Sequence, residues 1–229
     1  IMEAMRLREE PRELGGRVEI DDAYLGGERS GGKPGRGSEN KVPFVAAVQT
    51  TASGHALLAC LRQQPHTTEQ VAVFAAQHIA PSASVVTDGL WCFRATTIVG
   101  AEHERVVTGG GKASVKLPQF KAVNTLLGNL KTAISGTYHA FDYAKYAHRY
   151  LAEMQYRFNR RFDMRSILSR LLTALVAAPA SPERRLRLAE VHRSEETKPS
   201  RVGLHAGTEA GLMSKPSAAA RRLRAVTLR

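Results

Sequence analysis

Two short stretches of sequence decide the fold: residues 17–25, RVEIDDAYL, and residues 84–89, SVVTDG. In the first stretch apolar and polar side chains alternate with the two-residue period of a strand, so Asp21 lies on the polar side. The second stretch is a short β-branched run that ends in glycine, which predicts a buried strand with Asp88 at its C-terminal end. Because ligands collect at such strand ends in open α/β sheets, Asp88 is a candidate ligand-binding residue.

The segments between these two stretches predict the start of an α/β domain. Residues 26–41 are rich in glycine and charge and predict a mobile basic loop. Residues 42–50 and 55–63 are apolar runs separated by a turn sequence, which predicts a hairpin. Thr67 has the spacing of a capping box, and a helix is expected from there to residue 80. The predicted order is therefore three strands, a helix and a fourth strand.

A helix with two candidate functional residues is predicted over residues 118–135, with Gly136 as its C-cap. Its apolar stripe lies opposite a polar face that contains Asn124 and Lys131. These two residues are two turns apart, or about 10 Å along the axis, on nearly the same face. One helix can therefore offer both groups to a single phosphate backbone.

Two further helices are predicted over residues 142–160 and 164–176, and the first of them ends in the basic run RFNRR. A basic helix end is commonly a solvated surface, but in a DNA-binding protein each phosphate contact adds affinity. We predict that DNA contacts the side chains of Lys131, Arg149, Arg157, Arg160 and Arg161. The composition becomes charged and rich in serine and proline after Pro179, and residues 192–229 are expected to form a poorly ordered basic tail.

The composition favours a polyanionic partner. Lys and Arg number 33 against 21 Asp and Glu, which gives a net charge of +12; ribosome association or a membrane-surface location would fit the same excess. The cysteines Cys60 and Cys92 lie too far apart for a zinc ribbon. The longest apolar stretch, residues 171–178, is much shorter than the roughly 20 residues that span a bilayer, and no signal peptide is evident. We therefore expect a cytoplasmic protein with no membrane segment and no small-molecule substrate.

The two aspartates suggest a metal site if their strands are neighbours. Two carboxylates within a few Å repel each other unless a cation lies between them. Oxygen ligands select Mg²⁺ or Mn²⁺, and two such ions about 3.5–4 Å apart can promote phosphoryl transfer. Alone, Asp21 could equally be a surface carboxylate of a strand and Asp88 a turn residue.

Several motifs, in order, resemble the catalytic domain of DDE-type insertion-sequence transposases of the ISXO-like group. The resemblance extends from about residue 15 to about residue 175 and is carried by GGRVEIDDAYLGG, GKPGRGSENKVPFVAAVQ, VVTDG, NTLLGNLKTAISGTYHAF and YLAEMQYRFNRRFD. It implies an RNase H-like mixed sheet flanked by helices, followed by a C-terminal helical segment and a basic tail. It also implies that Asp21 and Asp88 are metal ligands, that Asn124 is a neutral third ligand, and that Lys131 is a phosphate clamp. Asp22 matches a position where the group usually has glutamate.

The resemblance further implies an activity and partners. A catalytic domain is expected at residues 15–178 and a basic extension at 179–229. The expected reaction is metal-dependent cleavage of double-stranded DNA at transposon ends, followed by strand transfer into target DNA, by a homo-oligomer that uses Mg²⁺ or Mn²⁺. Two alternatives remain open: a stand-alone nuclease with the same fold, and a transposase remnant that binds DNA without catalysis.

Overall fold

The computed structural model describes residues 1–26, 41–107, 117–138 and 142–189. Most of the predicted basic loop, residues 27–40, and the predicted tail at 192–229 lie outside the described residues. The strands are β1 (Arg17–Leu25), β2 (Val42–Thr50), β3 (Ala56–Gln63), β4 (Ser84–Thr87) and β5 (Glu102–Arg105). The α-helices are α1 (Met2–Glu9), α2 (Thr68–His78), α3 (Lys121–Thr137), α4 (Tyr143–Phe158), α5 (Ile167–Ala177) and α6 (Glu183–Leu188). The described part of the chain also contains the 3₁₀ helices Trp91–Val99, Pro118–Phe120 and Met164–Ser166.

The strands form one mixed sheet in the order β3-β2-β1-β4-β5. β1 and β3 each pair antiparallel with β2. The short turn between β2 and β3 contains Gly54, whose φ of 81° favours glycine. β4 pairs parallel with β1 and with β5. The chain reaches β4 from β3 through α2, and the 3₁₀ helix Trp91–Val99 connects β4 to β5. The predicted RNase H-like mixed sheet flanked by helices is confirmed.

Each face of the sheet is covered by helices because β1 and β2 bury side chains on both faces. On one face Val18 and Ile20 join a core with Phe74 of α2. On the other face Leu25 joins a core with Leu126 of α3 and with residues of α4. Glu19 and Asp21 share this second face with Leu25, since alternate residues of a strand point the same way. Glu19 and Asp21 therefore point towards the side of the sheet that α3 covers, whereas Asp22 lies on the opposite face.

The predicted strands β1 to β4 and helices α2 to α5 are confirmed, but four elements were not predicted. α1, the 3₁₀ helix Trp91–Val99, β5 and α6 lack clear apolar periodicity, and β5 forms because β4 offers it a free edge. The expected C-cap at Gly136 is wrong, because α3 continues to Thr137 and is capped by Tyr138. Among the described residues, no helix combines the length and the hydropathy that crossing a membrane requires.

Candidate active site

Three carboxylates converge where β4 ends beside β1. Asp21, Asp22 and Asp88 each offer one oxygen atom, and these three atoms lie within 4.8 Å of one another. The parallel pairing of β1 with β4 ends at Ile20 and Thr87, so the next residue on each strand is an aspartate. The structure thus brings together the two aspartates that the sequence proposed. Asp21 and Asp88 are partly buried residues, whereas the side chain of Asp22 is only 5% exposed.

The turn after β4 fixes the carboxylate of Asp88. The backbone N–H of Leu90 donates to Oδ1 of Asp88 at 3.0 Å, which closes an Asx turn. The hydroxyl of Thr87 donates to the carbonyl of Asp88 and lies 2.8 Å from Nε2 of His103. Thr87 is fully buried, and burial, followed by the charges of Arg94 and Arg105, lowers the pKa of His103. The Thr87 hydroxyl therefore links His103 to the backbone of the Asp88 turn.

Asp22 belongs to the acidic cluster although the sequence did not propose it as a ligand. Strand alternation sends its side chain to the face opposite Asp21. β1 has no β4 partner beyond Ile20 within the described residues, so carboxylates from both faces can turn towards this open edge. Oδ2 of Asp22 also lies 3.9 Å from Nδ1 of His66, whose Nε2 lies 3.0 Å from the carbonyl oxygen of Phe44.

A buried glutamate joins β1 to the start of α3. Oε2 of Glu19 accepts hydrogen bonds from the backbone N–H groups of Ala122 at 2.8 Å and Val123 at 3.0 Å. Phe120 occupies the N-cap position and provides no side-chain hydrogen bond, so Glu19 supplies the missing cap from a distant strand. Oε1 of Glu19 accepts from Nη1 of Arg17 at 2.6 Å.

The Glu19 cap holds the start of α3, which carries Asn124, against the face of β1 that also carries Asp21. Glu19 is 1% exposed and lies two residues before Asp21 on the same face of β1. Asn124 directly follows the two capped amides and is half-buried, while Lys131 is exposed further along α3. Strand alternation already indicated that Glu19 and Asp21 share a face. The pairing of Glu19 with an amide pair about a hundred residues later was not visible in the sequence.

The arginines predicted to contact DNA occupy different environments. The side chain of Arg157 is 54% exposed and pairs with Glu153. The side chain of Arg160 is 6% exposed, and its Nη1 donates to Oε1 of Glu9 in α1 at 2.6 Å. The side chain of Arg149 is 11% exposed and donates to the carbonyl of Leu186 at 2.7 Å. Arg149 and Arg160 therefore connect α4 to α6 and α1.

The end of α4 also seals the outer edge of the sheet. The side-chain amide of Asn159 accepts from the N–H of Ala59 at 2.7 Å and donates to its carbonyl at 3.0 Å, as a neighbouring strand would. Oε1 of Gln155 accepts from the N–H of Leu61 at 2.8 Å. The guanidinium of Arg161 donates to the carbonyl of Leu57 at 3.1 Å and to that of Ala56. Asn159 and Arg161 of the motif RFNRR thus hydrogen-bond backbone groups on the outer edge of β3.

The donor set of the acidic cluster fits a divalent cation. Carboxylate oxygens are the ligands that Mg²⁺ and Mn²⁺ prefer, and an added amide oxygen from Asn124 is of the same hard type. Three negative groups within 4.8 Å repel one another, and a bound cation relieves this repulsion. Because Asp21 and Asp88 are partly exposed, a cation and a phosphate can approach the cluster.

Comparison with known proteins identifies the family. The model of the ISXO2-like transposase domain matches residues 13–159, which is more than half of the chain and includes all three aspartates. No protein of curated function matches the chain. Among solved structures, a chain of the simian T-cell lymphotropic virus intasome in complex with PP2A regulatory subunit B56 gamma is similar, with a TM-score of 0.32 and 13% identity. The alignment covers 89% of the present chain and 62% of that one.

Proposed function

The chain belongs to the family of ISXO2-like transposase domains, and from this premise we propose that it cleaves DNA at transposon ends and joins the freed 3′ end to target DNA. The observation that carries the proposal is the convergence of Asp21, Asp22 and Asp88 within 4.8 Å. Such a cluster suits phosphoryl transfer assisted by Mg²⁺ or Mn²⁺. The proposed catalytic domain comprises residues 15–178, and residues 179–229 form the proposed extension.

Each proposed site residue has a distinct task. Asp21 and Asp88 would hold the cations, and Asn124 would add a neutral oxygen from α3. When bound, the cations would supply Lewis acidity for the transferred phosphoryl group and would lower the pKa of the attacking hydroxyl. The Asx turn keeps one Asp88 oxygen in place, so less reorganisation is needed when substrate binds. Lys131, on the same face of α3 as Asn124, places a positive charge for the DNA phosphate.

The proposed DNA-binding surface centres on side chains that solvent can reach. Lys131 and Arg157 are exposed and carry the proposed phosphate contacts. Arg149 and Arg160 act mainly through their contacts within the protein, and Arg161 mainly through β3. The proposed partner is double-stranded DNA, and a homo-oligomer would hold two transposon ends for joint cleavage.

A strand-transfer assay tests the function directly. The purified chain is incubated with labelled transposon-end DNA and a target plasmid in Mg²⁺ or Mn²⁺, and products are separated on a denaturing gel. We expect cleaved and joined products from the wild type and none from Asp88→Ala. Glu102→Ala serves as the matched control, because it removes an exposed acid of β5 outside the cluster.

The outcomes separate the three candidate functions. Cleavage without joining would favour the nuclease, and DNA binding without cleavage in Mn²⁺ would favour the remnant. Binding of Mn²⁺ itself, followed by the loss of the free-ion electron paramagnetic resonance signal, gives a readout independent of activity. If Asp88→Ala and the wild type bind Mn²⁺ equally, the acidic cluster is not the metal site.

A further inference from the structure

Trp91, the only tryptophan of the chain, lies on the surface three residues after Asp88. It begins the 3₁₀ helix Trp91–Val99 and is 63% exposed, whereas the next two residues, Cys92 and Phe93, are buried in the core. Tryptophan has a large apolar ring that is highly buried on average. An indole that is 63% exposed and three residues from Asp88 is therefore a candidate contact for a ligand of the acidic cluster.

A guanidinium group stacks on the ring of Trp91. Cζ of Arg94 lies 3.8 Å from the ring centroid, which is within the range of a cation–π contact. Arg94 is one 3₁₀ turn after Trp91 and is itself exposed. The guanidinium therefore lies over one face of the indole. Most of the remaining surface of Trp91 stays open to solvent.

Two arginines, Arg94 and Arg105, lie near the turn that connects Asp88 to Trp91. A Cβ atom placed on Gly89 would lie 3.6 Å from Nη2 of Arg105, so this guanidinium rests against the turn. β5 pairs Arg105 with Thr87, the residue before Asp88, and the charges of Arg94 and Arg105 both lower the pKa of His103 on the same strand. The acidic cluster is thus adjacent to a surface that combines an indole with two guanidinium groups.

The combination matches an unpaired nucleotide. An aromatic ring offers a stacking partner for any base, and arginines beside it attract the phosphate backbone. A base inside an intact duplex is stacked on both sides, so only a frayed, flipped or overhanging base can use the ring. We propose that Trp91 and Arg94 form a stacking platform for an unpaired base of the DNA substrate, next to the phosphodiester at Asp88.

The platform rests on the proposed function, because it assumes that DNA occupies the acidic cluster. It would favour DNA whose end is opened over DNA whose end is fully paired. Stacking is sequence-tolerant, so the preference would depend on strand opening rather than on base identity.

Trp91 supplies its own probe, because the intrinsic tryptophan fluorescence of this chain comes from this residue alone. Two DNAs of equal length are titrated in the presence of Ca²⁺, a cation that also takes carboxylate oxygens as ligands: a blunt duplex and a duplex with a three-nucleotide single-stranded end. A fluorescein on the far end of each DNA reports binding by anisotropy, and indole emission reports stacking. We expect the open-ended DNA to bind more tightly and to quench the emission.

Substitutions test the platform against a matched control. Trp91→Ala is expected to lower the affinity for open-ended DNA about tenfold and to leave blunt DNA nearly unchanged, since stacking contributes about 5- to 150-fold per base. Trp91→Phe retains an aromatic face and should keep most of the preference. Ile98→Ala removes another exposed apolar side chain, 70% exposed, from the same 3₁₀ helix and should have no effect.

The titrations can refute the stacking platform while leaving the proposed transposase function standing. If the wild type binds DNA but its emission is unchanged, and Trp91→Ala binds both DNAs as the wild type does, the platform is wrong and the transposase proposal stands. If the wild type binds neither DNA, both fall together. If Trp91→Ala impairs only self-association of the chain, the surface is a protein interface and the platform is wrong.

Discussion

Glu19 is expected to be more important for the fold and the site than its position inside a strand suggests. Replacing it with alanine removes the acceptor for two α3 amides and the partner of Arg17. Hydrogen bonds to charged groups contribute about 1.5–3 kcal/mol each, and removing one member of a buried charged network costs about 3–5 kcal/mol. We therefore expect Glu19→Ala to lower the free energy of unfolding by about 3–5 kcal/mol. Such a loss is a large share of the stability of an ordinary domain.

Glutamine at the same position separates charge from shape. Glu19→Gln keeps one acceptor oxygen but loses the negative charge that complements the α3 N-terminus and Arg17. We expect a loss of about 1–2 kcal/mol, the size of a charge at a partly buried helix end. Urea denaturation followed by far-UV circular dichroism measures both values. Glu102→Gln, an exposed acid on β5, is the control and should differ from the wild type by less than about 0.5 kcal/mol.

A second measurement shows whether Glu19 positions the site. If the cap places Asn124 near the aspartates, Glu19→Gln should weaken Mn²⁺ binding even in conditions where the variant is fully folded. Glu19 itself is 1% exposed and is occupied by the amides, so it is a positioning residue. The reasoning is refuted if Glu19→Ala unfolds at the wild-type urea concentration, because the buried amides would then have no need of this carboxylate.

Three further results are expected. Glu9→Gln should destabilise the fold by about 3–5 kcal/mol in urea, because it leaves the buried guanidinium of Arg160 without its charge partner, and adding Arg160→Met should restore part of the loss. Burial and the charge of Arg62 lower the pKa of His78 from about 6.5 in the unfolded chain to about 4 in the folded protein. The folded protein therefore binds a proton at His78 less readily than the unfolded chain does, and the free energy of unfolding falls as the pH drops from about 6.5 towards about 4. The stability lost between about pH 7.5 and about pH 5 should accordingly be about 2 kcal/mol smaller in His78→Gln, by urea denaturation at both pH values. Gln155→Ala should leave the N–H of Leu61 without an acceptor, cost about 1–3 kcal/mol and speed the hydrogen exchange of that amide; unchanged exchange would contradict the edge-sealing role.

The basic run at the end of α4 shows how composition and position can point in different directions. In the sequence, RFNRR resembles a DNA-binding helix end, and Arg157 is indeed exposed. Asn159 and Arg161 instead bond to the backbone of β3, and Arg160 pairs with α1. A polar side chain that hydrogen-bonds the free backbone groups of an edge strand looks the same in the sequence as one that binds a DNA phosphate. Only the position of the neighbouring strand distinguishes the two roles.

The sequence by itself determined the local elements and the position of the first two aspartates. Alternation in residues 17–25 and the β-branched run at 84–87 specify strands, because side-chain period and burial are local properties of the chain. The resemblance to the insertion-sequence transposases further implied that Asp21 and Asp88 act together as metal ligands.

Only the tertiary structure decided which polar groups meet. Asp22 turns to the acidic cluster because β1 extends beyond the end of β4, and the carboxylate of Glu19 caps a helix about a hundred residues away. Such contacts depend on where the end of one element lies relative to another in space. The spacing of apolar residues along the sequence does not determine these relative positions. Hydrogen bonds and charges act over a few Å, so their partners are fixed only when packing has brought distant segments together.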